Sequence, residues 1–143
     1  YIVRDPRDAA CSIAEMNKVT HRSSLMNIRI FVRQYEKFVS QCPEDRVLSI
    51  QYEDLVSDYT GVTRRILDRL GLAISPEVDQ FIEKYKDVDS HNVKSFRLIK
   101  RNFKEGSVGR WKKEMNEEDV AFAEQELNAY LHKYGYERVG GPQ

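Results

Sequence analysis

Apolar positions recur at two different periods along this chain. Leu25, Ile28, Phe31, Val32, Tyr35, Phe38 and Val39 return every three or four residues. That spacing predicts one apolar stripe on a helix from about Ser24 to Gln41. Val120, Ala123, Leu127, Tyr130 and Leu131 repeat the pattern over Glu117 to Tyr134, with Asn116 as cap and Gly135 as stop. Two shorter runs have no helical period. Tyr1-Ile2-Val3 and Val47-Leu48-Ser49-Ile50-Gln51-Tyr52 are β-prone and read as buried strands.

End signals place the remaining elements. Asp5 is a good N-cap and Pro6 suits the first helical position, so a helix is predicted from Pro6 to about Asn17. Asp54 to Ser57 reads as a short helical turn. Asp58 caps a helix from Tyr59 to Leu70 that Gly71 closes, and Ser75 with Pro76 starts another to about Lys86. From Asp87 to Met115 the periodicity fades, which predicts a long irregular segment of the kind that carries function. The order is strand, helix, helix, strand, then helices: an α/β fold, mostly helical, with about two parallel strands. Two strands make a marginal sheet, so the sheet is expected to be incomplete without residues upstream of Tyr1. The expectation is one domain over 1–139 and a flexible tail over 140–143.

Composition changes this picture little. The chain has 143 residues, 41% hydrophobic and 32% charged, which suits a folded domain and not a disordered one. Its formal net charge is zero. The whole-molecule field therefore gives no pull towards nucleic acid or membrane, and neither is expected as a partner. No apolar run is long enough for a transmembrane helix. A cytoplasmic location is expected. Cys11 and Cys42 show no CxxC or Cys/His ligand spacing, and His21, His91 and His132 are scattered, so the sequence points to no metal.

Three places could carry chemistry. The first is the exit of the opening strand, where Arg4 stands immediately before a helix and Ser12 follows eight residues later. Helix starts and strand carboxyl ends favour anions, and arginine can grip a phosphate with two parallel hydrogen bonds. Arg4, Asp5, Arg7 and Asp8 also fit a solvated charge network around an ordinary helix start. The second place is basic. Lys94, Arg97, Lys100, Arg101, Lys104, Arg110, Lys112 and Lys113 face one acid, Glu105. Within that stretch lies Gly106-Ser107-Val108-Gly109-Arg110-Trp111-Lys112, whose glycines permit close backbone approach to a phosphate. Trp111 fits either a stack on a base or an anchor in the core. The third is Tyr52-Glu53-Asp54-Leu55, where the tyrosine could face a base and the acids could cap the next turn.

Together and in this order, the three elements resemble the sulfotransferases that use 3′-phosphoadenylyl sulfate (PAPS). Tyr-Ile-Val-Arg-Asp-Pro-Arg-Asp-Ala-Ala-Cys-Ser is similar to that family's 3′-phosphate-binding strand and helix. Val-Leu-Ser-Ile-Gln-Tyr-Glu-Asp-Leu resembles its later strand, and Lys-Glu-Gly-Ser-Val-Gly-Arg-Trp-Lys its late glycine loop. The resemblance runs over nearly the whole chain. It implies the C-terminal part of a P-loop-like sulfotransferase fold. It also implies that Arg4 and Ser12 hold the donor's 3′-phosphate, that Tyr52 meets the adenine side, and that Lys104 and Gly106 belong to the loop that closes over the phosphate.

The implied reaction moves a sulfuryl group from PAPS to a hydroxyl or amine acceptor without a metal. Departures from the family pattern are visible. Glu105 stands where a base is frequent, with Lys104 or Arg101 left to act. Arg110 replaces an aspartate, which is nearer to bacterial or glycan- and protein-modifying branches. No phosphosulfate-binding Gly-rich loop is found, and no histidine stands in the context of a general base. The expected partners are therefore the nucleotide, an acceptor and a missing N-terminal half of the enzyme, with a homodimer that completes the sheet as an alternative. Two other readings stay open: a catalytically silent nucleotide-binding module, and a helical interaction domain with chance motif matches.

Overall fold

A computed structural model describes residues 1–85 and 108–139. Lys104, Gly106, His91 and the predicted tail lie outside the described residues. The chain divides into two compact units, one of residues 1–3 and 45–85, the other of residues 4–44 and 108–139 as far as they are described.

The first unit holds the sheet. β1 (Ile2–Val3) and β2 (Ile50–Gln51) pair in parallel, Ile2 against Ile50 and Val3 against Gln51. The ladder is tied by the Ile50 N–H to the Tyr1 carbonyl at 2.8 Å. Val3 and Ile50 are buried. The expectation of parallel strands in a mostly helical α/β fold holds, but the second strand is shorter than the apolar run suggested. Helix α3 (Tyr52–Ser57) begins directly after Gln51, so Tyr52 opens a helix where a strand end was expected. Helices α4 (Tyr59–Arg69) and α5 (Pro76–Tyr85) follow, as their caps predict. Asp58 accepts from the Gly61 N–H at 2.8 Å. A Cβ on Gly61 would come within 2.1 Å of the Asp58 carboxylate, so a larger residue there would make the capping side chain shift. Arg64 donates to Asp79, joining α4 to α5, and Val62 and Ile82 are buried.

The second unit is helical: α1 (Pro6–Asn17), α2 (His21–Val39), α6 (Trp111–Glu114), α7 (Glu117–Glu126) and α8 (Asn128–Lys133). Its core is Ala10 of α1, Leu25 and Ile28 of α2, and Ala123, Leu127 and Leu131 from the C-terminal helices. Each buried leucine or isoleucine contributes about 1.5–3 kcal/mol.

Four expectations are corrected here. Helix α2 starts at His21, because the Thr20 side chain accepts from the Ser23 N–H and caps it earlier than Ser24. Its apolar stripe is wider than the face that packs: Leu25 and Ile28 are buried, but Phe31 is 70% exposed and Phe38 62%. At 3.6 residues per turn Phe31 lies about 120° round from Leu25. The flank of the packed face is charged. Arg22 pairs with Asp119 at 2.7 Å, Arg29 and Arg33 with Glu126, and Glu36 with Lys133, tying α2 to α7 and α8. The last predicted helix divides at Leu127, and the segment expected to be irregular carries the short helix α6. Among the described residues no helix is long and apolar enough to cross a membrane.

Candidate functional site

The start of α1 explains itself from its first four residues. Asp5 caps the helix with its side chain, accepting from the Arg7 N–H at 2.9 Å, and Pro6 occupies the first turn without wasting a donor. The same carboxylate receives the Arg7 guanidinium in a two-pronged pair, Nε at 3.0 Å and Nη2 at 2.8 Å. Arg7 is fully buried. It also donates to the Glu137 carbonyl at 2.7 Å and to Glu124 at 3.3 Å, and its guanidinium carbon lies 3.7 Å from the Trp111 ring centre. A buried cation needs this degree of matching, because an unpaired charge away from water is very costly.

Asp8, one turn on, is buried too. Its carboxylate accepts from the Gly109 N–H at 2.7 Å and the Trp111 N–H at 3.0 Å. Burial pushes its carboxyl above the ordinary range, against the pull of the Trp111 and Gly109 N–H groups. Asp5 adds to the rise and Arg4 opposes it. The charges around the helix start are thus a buried network and not a solvated one. They fasten the end of the glycine loop to α1. Gly109 has φ of +74°, a left-handed conformation that favours glycine. Trp111 is buried beside Arg7, which decides for the anchor and against the base stack.

Arg4 lies half-buried just before the cap, and its carbonyl accepts from the Tyr130 hydroxyl at 3.4 Å. Ser12 lies one helical turn past Asp8, on the same side of α1. Its hydroxyl is buried and has no hydrogen-bond partner among the described residues. Buried hydroxyls are almost always paired, so this one is short of an acceptor or donor that a ligand oxygen could supply. Tyr52 belongs to the other unit, half-buried at the first position of α3.

The described end of the basic stretch reads differently in three dimensions. Arg110 gives Glu114 two hydrogen bonds, at 2.9 and 2.7 Å, and reaches Glu15 at 3.0 Å. Lys112 pairs with Glu137. These two cations are occupied by acids from elsewhere in the chain and do not form an open phosphate clamp. A cleft of about 540 Å³ opens beside Trp111, Met115, Val120, Glu124 and Val139. None of Arg4, Ser12 or Tyr52 lines it. Sequence reasoning missed the work of Arg7 and Asp8. The only local signal was two opposite charges packed into the first turn of a helix, which is equally common on a solvated surface.

Comparison with known proteins sets these residues in a family. The family model described as the sulfotransferase domain matches residues 1–135. Carbohydrate sulfotransferase 2 of Homo sapiens is 30% identical over 67% of this chain, which covers 18% of that protein. The 3-alpha-hydroxysteroid sulfotransferase of Cavia porcellus is 26% identical over 93% of the chain and 54% of that protein. Sulfotransferase 2A1 of Mus musculus is 28% identical over 78% of the chain and 48% of that protein. The chain thus spans about half or less of the length of these relatives. No solved structure gives a match.

Proposed function

Since this chain belongs to the sulfotransferase domain family, we propose that it forms the 3′-phosphate and adenine side of a PAPS site, in a protein that passes a sulfuryl group to a hydroxyl or amine. In that reaction the bond from sulfur to the bridging phosphate oxygen breaks. A bond from sulfur to the acceptor forms, the acceptor's proton leaves to a base, and adenosine 3′,5′-bisphosphate is released. The roles proposed for this chain's residues are binding roles. Arg4 pairs with the 3′-phosphate, the Ser12 hydroxyl donates to it, and Tyr52 meets the adenine side. Lys104 and Gly106 bring the glycine loop over the phosphate. Asp8 and Arg7 position these groups without touching the nucleotide. Charge-assisted hydrogen bonds of this kind are about twice as strong as neutral ones.

The observation that carries the reading is the Ser12 hydroxyl: buried, unpartnered among the described residues, and in the second turn of the helix that follows Arg4. A phosphate oxygen fits that need. Specificity for PAPS over other donors follows from the 3′-phosphate, which ATP and 5′-AMP lack.

Calorimetric titration with adenosine 3′,5′-bisphosphate and with 5′-AMP tests it. The bisphosphate is expected to bind at least about tenfold more tightly. Ser12→Ala and Arg4→Ala are each expected to remove most of that difference, since hydrogen bonds to charged groups contribute about 1.5–3 kcal/mol. Equal affinity for the two nucleotides on folded protein would overturn the reading.

A further inference from the structure

Cys11, His21 and Glu114 carry no recognisable ligand spacing, yet the second unit brings their side chains together from three helices. The Cys11 sulfur, an imidazole nitrogen of His21 and a carboxylate oxygen of Glu114 all lie within 4.8 Å of one another. We infer that these three residues form a binding site for a thiophilic divalent cation, Zn²⁺ above all, independent of the proposed nucleotide site.

The distances decide the chemistry. Zn²⁺ binds sulfur at about 2.3 Å and nitrogen or oxygen at about 2.0–2.2 Å. Tetrahedral angles at those lengths put ligand atoms about 3.3–3.7 Å apart. Closing from the observed separation needs side-chain movements of about 1 Å. One thiolate, one imidazole and one carboxylate suit Zn²⁺ or Co²⁺ and not Mg²⁺ or Ca²⁺, which prefer oxygen ligands alone. Cys11 is buried, His21 half-buried and Glu114 exposed, so the site has a closed floor and an entrance at the carboxylate. The fourth position is left to water.

The surroundings are prepared for a dication. Arg110 holds both oxygens of Glu114, at 2.9 and 2.7 Å, which fixes the orientation of the ligand while leaving each oxygen a second lone pair. Binding replaces the Cys11 thiol proton: Zn²⁺ enters, the proton leaves to solvent, and the thiolate with the Glu114 and Glu15 carboxylates balances the ion and Arg110. The bound cation braces α1, the first residue of α2 and the last residue of α6.

The test is Co²⁺ titration of the whole metal-free chain, followed by displacement with Zn²⁺. One equivalent of Co²⁺ is expected to give a near-ultraviolet thiolate-to-cobalt absorption that Zn²⁺ removes, with a rise in Tm. Cys11→Ser is expected to abolish the band and Cys42→Ser to leave it intact. His21→Ala and Glu114→Gln, both at accessible positions, are each expected to weaken binding by at least about tenfold, and they decide the matter if Cys11→Ser does not fold. Absence of the band at one equivalent would overturn the proposal. So would a band that depends on Cys42, or one that both accessible variants leave unchanged.

Discussion

The Trp111 backbone N–H donates to the Asp8 carboxylate at 3.0 Å across 103 residues of sequence. The second oxygen of Asp8 accepts from Gly109 at 2.7 Å. One buried acid therefore sets where the end of the glycine loop meets the helix that carries Ser12. Its neighbour Arg7 fills the space between Asp5, the Glu137 carbonyl and the Trp111 ring.

Asp8→Ala leaves two N–H groups without an acceptor. Each costs about 1–3 kcal/mol when buried, so a loss of about 2–6 kcal/mol is expected in urea unfolding. Asp8→Asn keeps one acceptor and turns its NH₂ towards a donor, and is expected to lose about half as much. If both variants unfold at the wild-type midpoint, Asp8 does not fasten the loop.

The pH dependence of Asp8 has a definite sign. Burial raises its carboxyl above 3.8 in the folded chain. The folded state then holds this proton more firmly than the unfolded state does. Its contribution is fully present below 3.8 and is lost as pH rises through the raised value. Glu126 and Glu137 have the opposite sign. Hydrogen bonds from Arg29 and Lys112 hold them below 4.5, so their support is present above 4.5 and lost as pH falls. Asp8→Asn retains both glutamates and cancels their effect. The stability of wild type relative to Asp8→Asn is expected to rise as pH falls from neutral towards 3.8. A relative stability that falls instead would mean that the two N–H bonds outweigh burial.

Arg7→Ala removes the buried cation that pairs with Asp5 and Glu124. Breaking a buried pair costs about 3–5 kcal/mol. Adding Asp5→Asn should recover part of that loss, because one of the two carboxylates that faced Arg7 then carries no charge. A double-mutant cycle by chemical denaturation measures the coupling, and strictly additive losses would deny it.

Leu25 and Phe31 separate the packed face of α2 from the exposed one. Leu25→Ala, at a fully buried position, is expected to cost about 2–5 kcal/mol. Phe31→Ala, at 70% exposure, should stay within about 0.5 kcal/mol. Thermal and urea unfolding of the two variants check the contrast. Comparable losses would mean that Phe31 is covered in solution.

The sequence by itself determined the helix starts at Asp5, Asp58 and Asn116 and the left-handed stops at Gly71 and Gly135. Capping is settled within one turn of chain, so the residues that decide it are adjacent in the string. The order of its motifs also carried the family, because three elements at suitable separations rarely coincide by chance. Other boundaries depended on more than the local pattern. Tyr52 looked like the end of a strand because an apolar run without helical period cannot show where the ladder stops and a helix takes over.

Tertiary structure alone decided the rest. It turned Arg110 and Lys112 from a phosphate clamp into partners of Glu15, Glu114 and Glu137. It made Asp5, Arg7 and Asp8 a buried network, and it set Cys11 beside His21 and Glu114. The reason is the same in each case. The energy of a charge depends on its burial and on which opposite group lies within about 4 Å, and both are fixed by the packing of helices far apart in sequence.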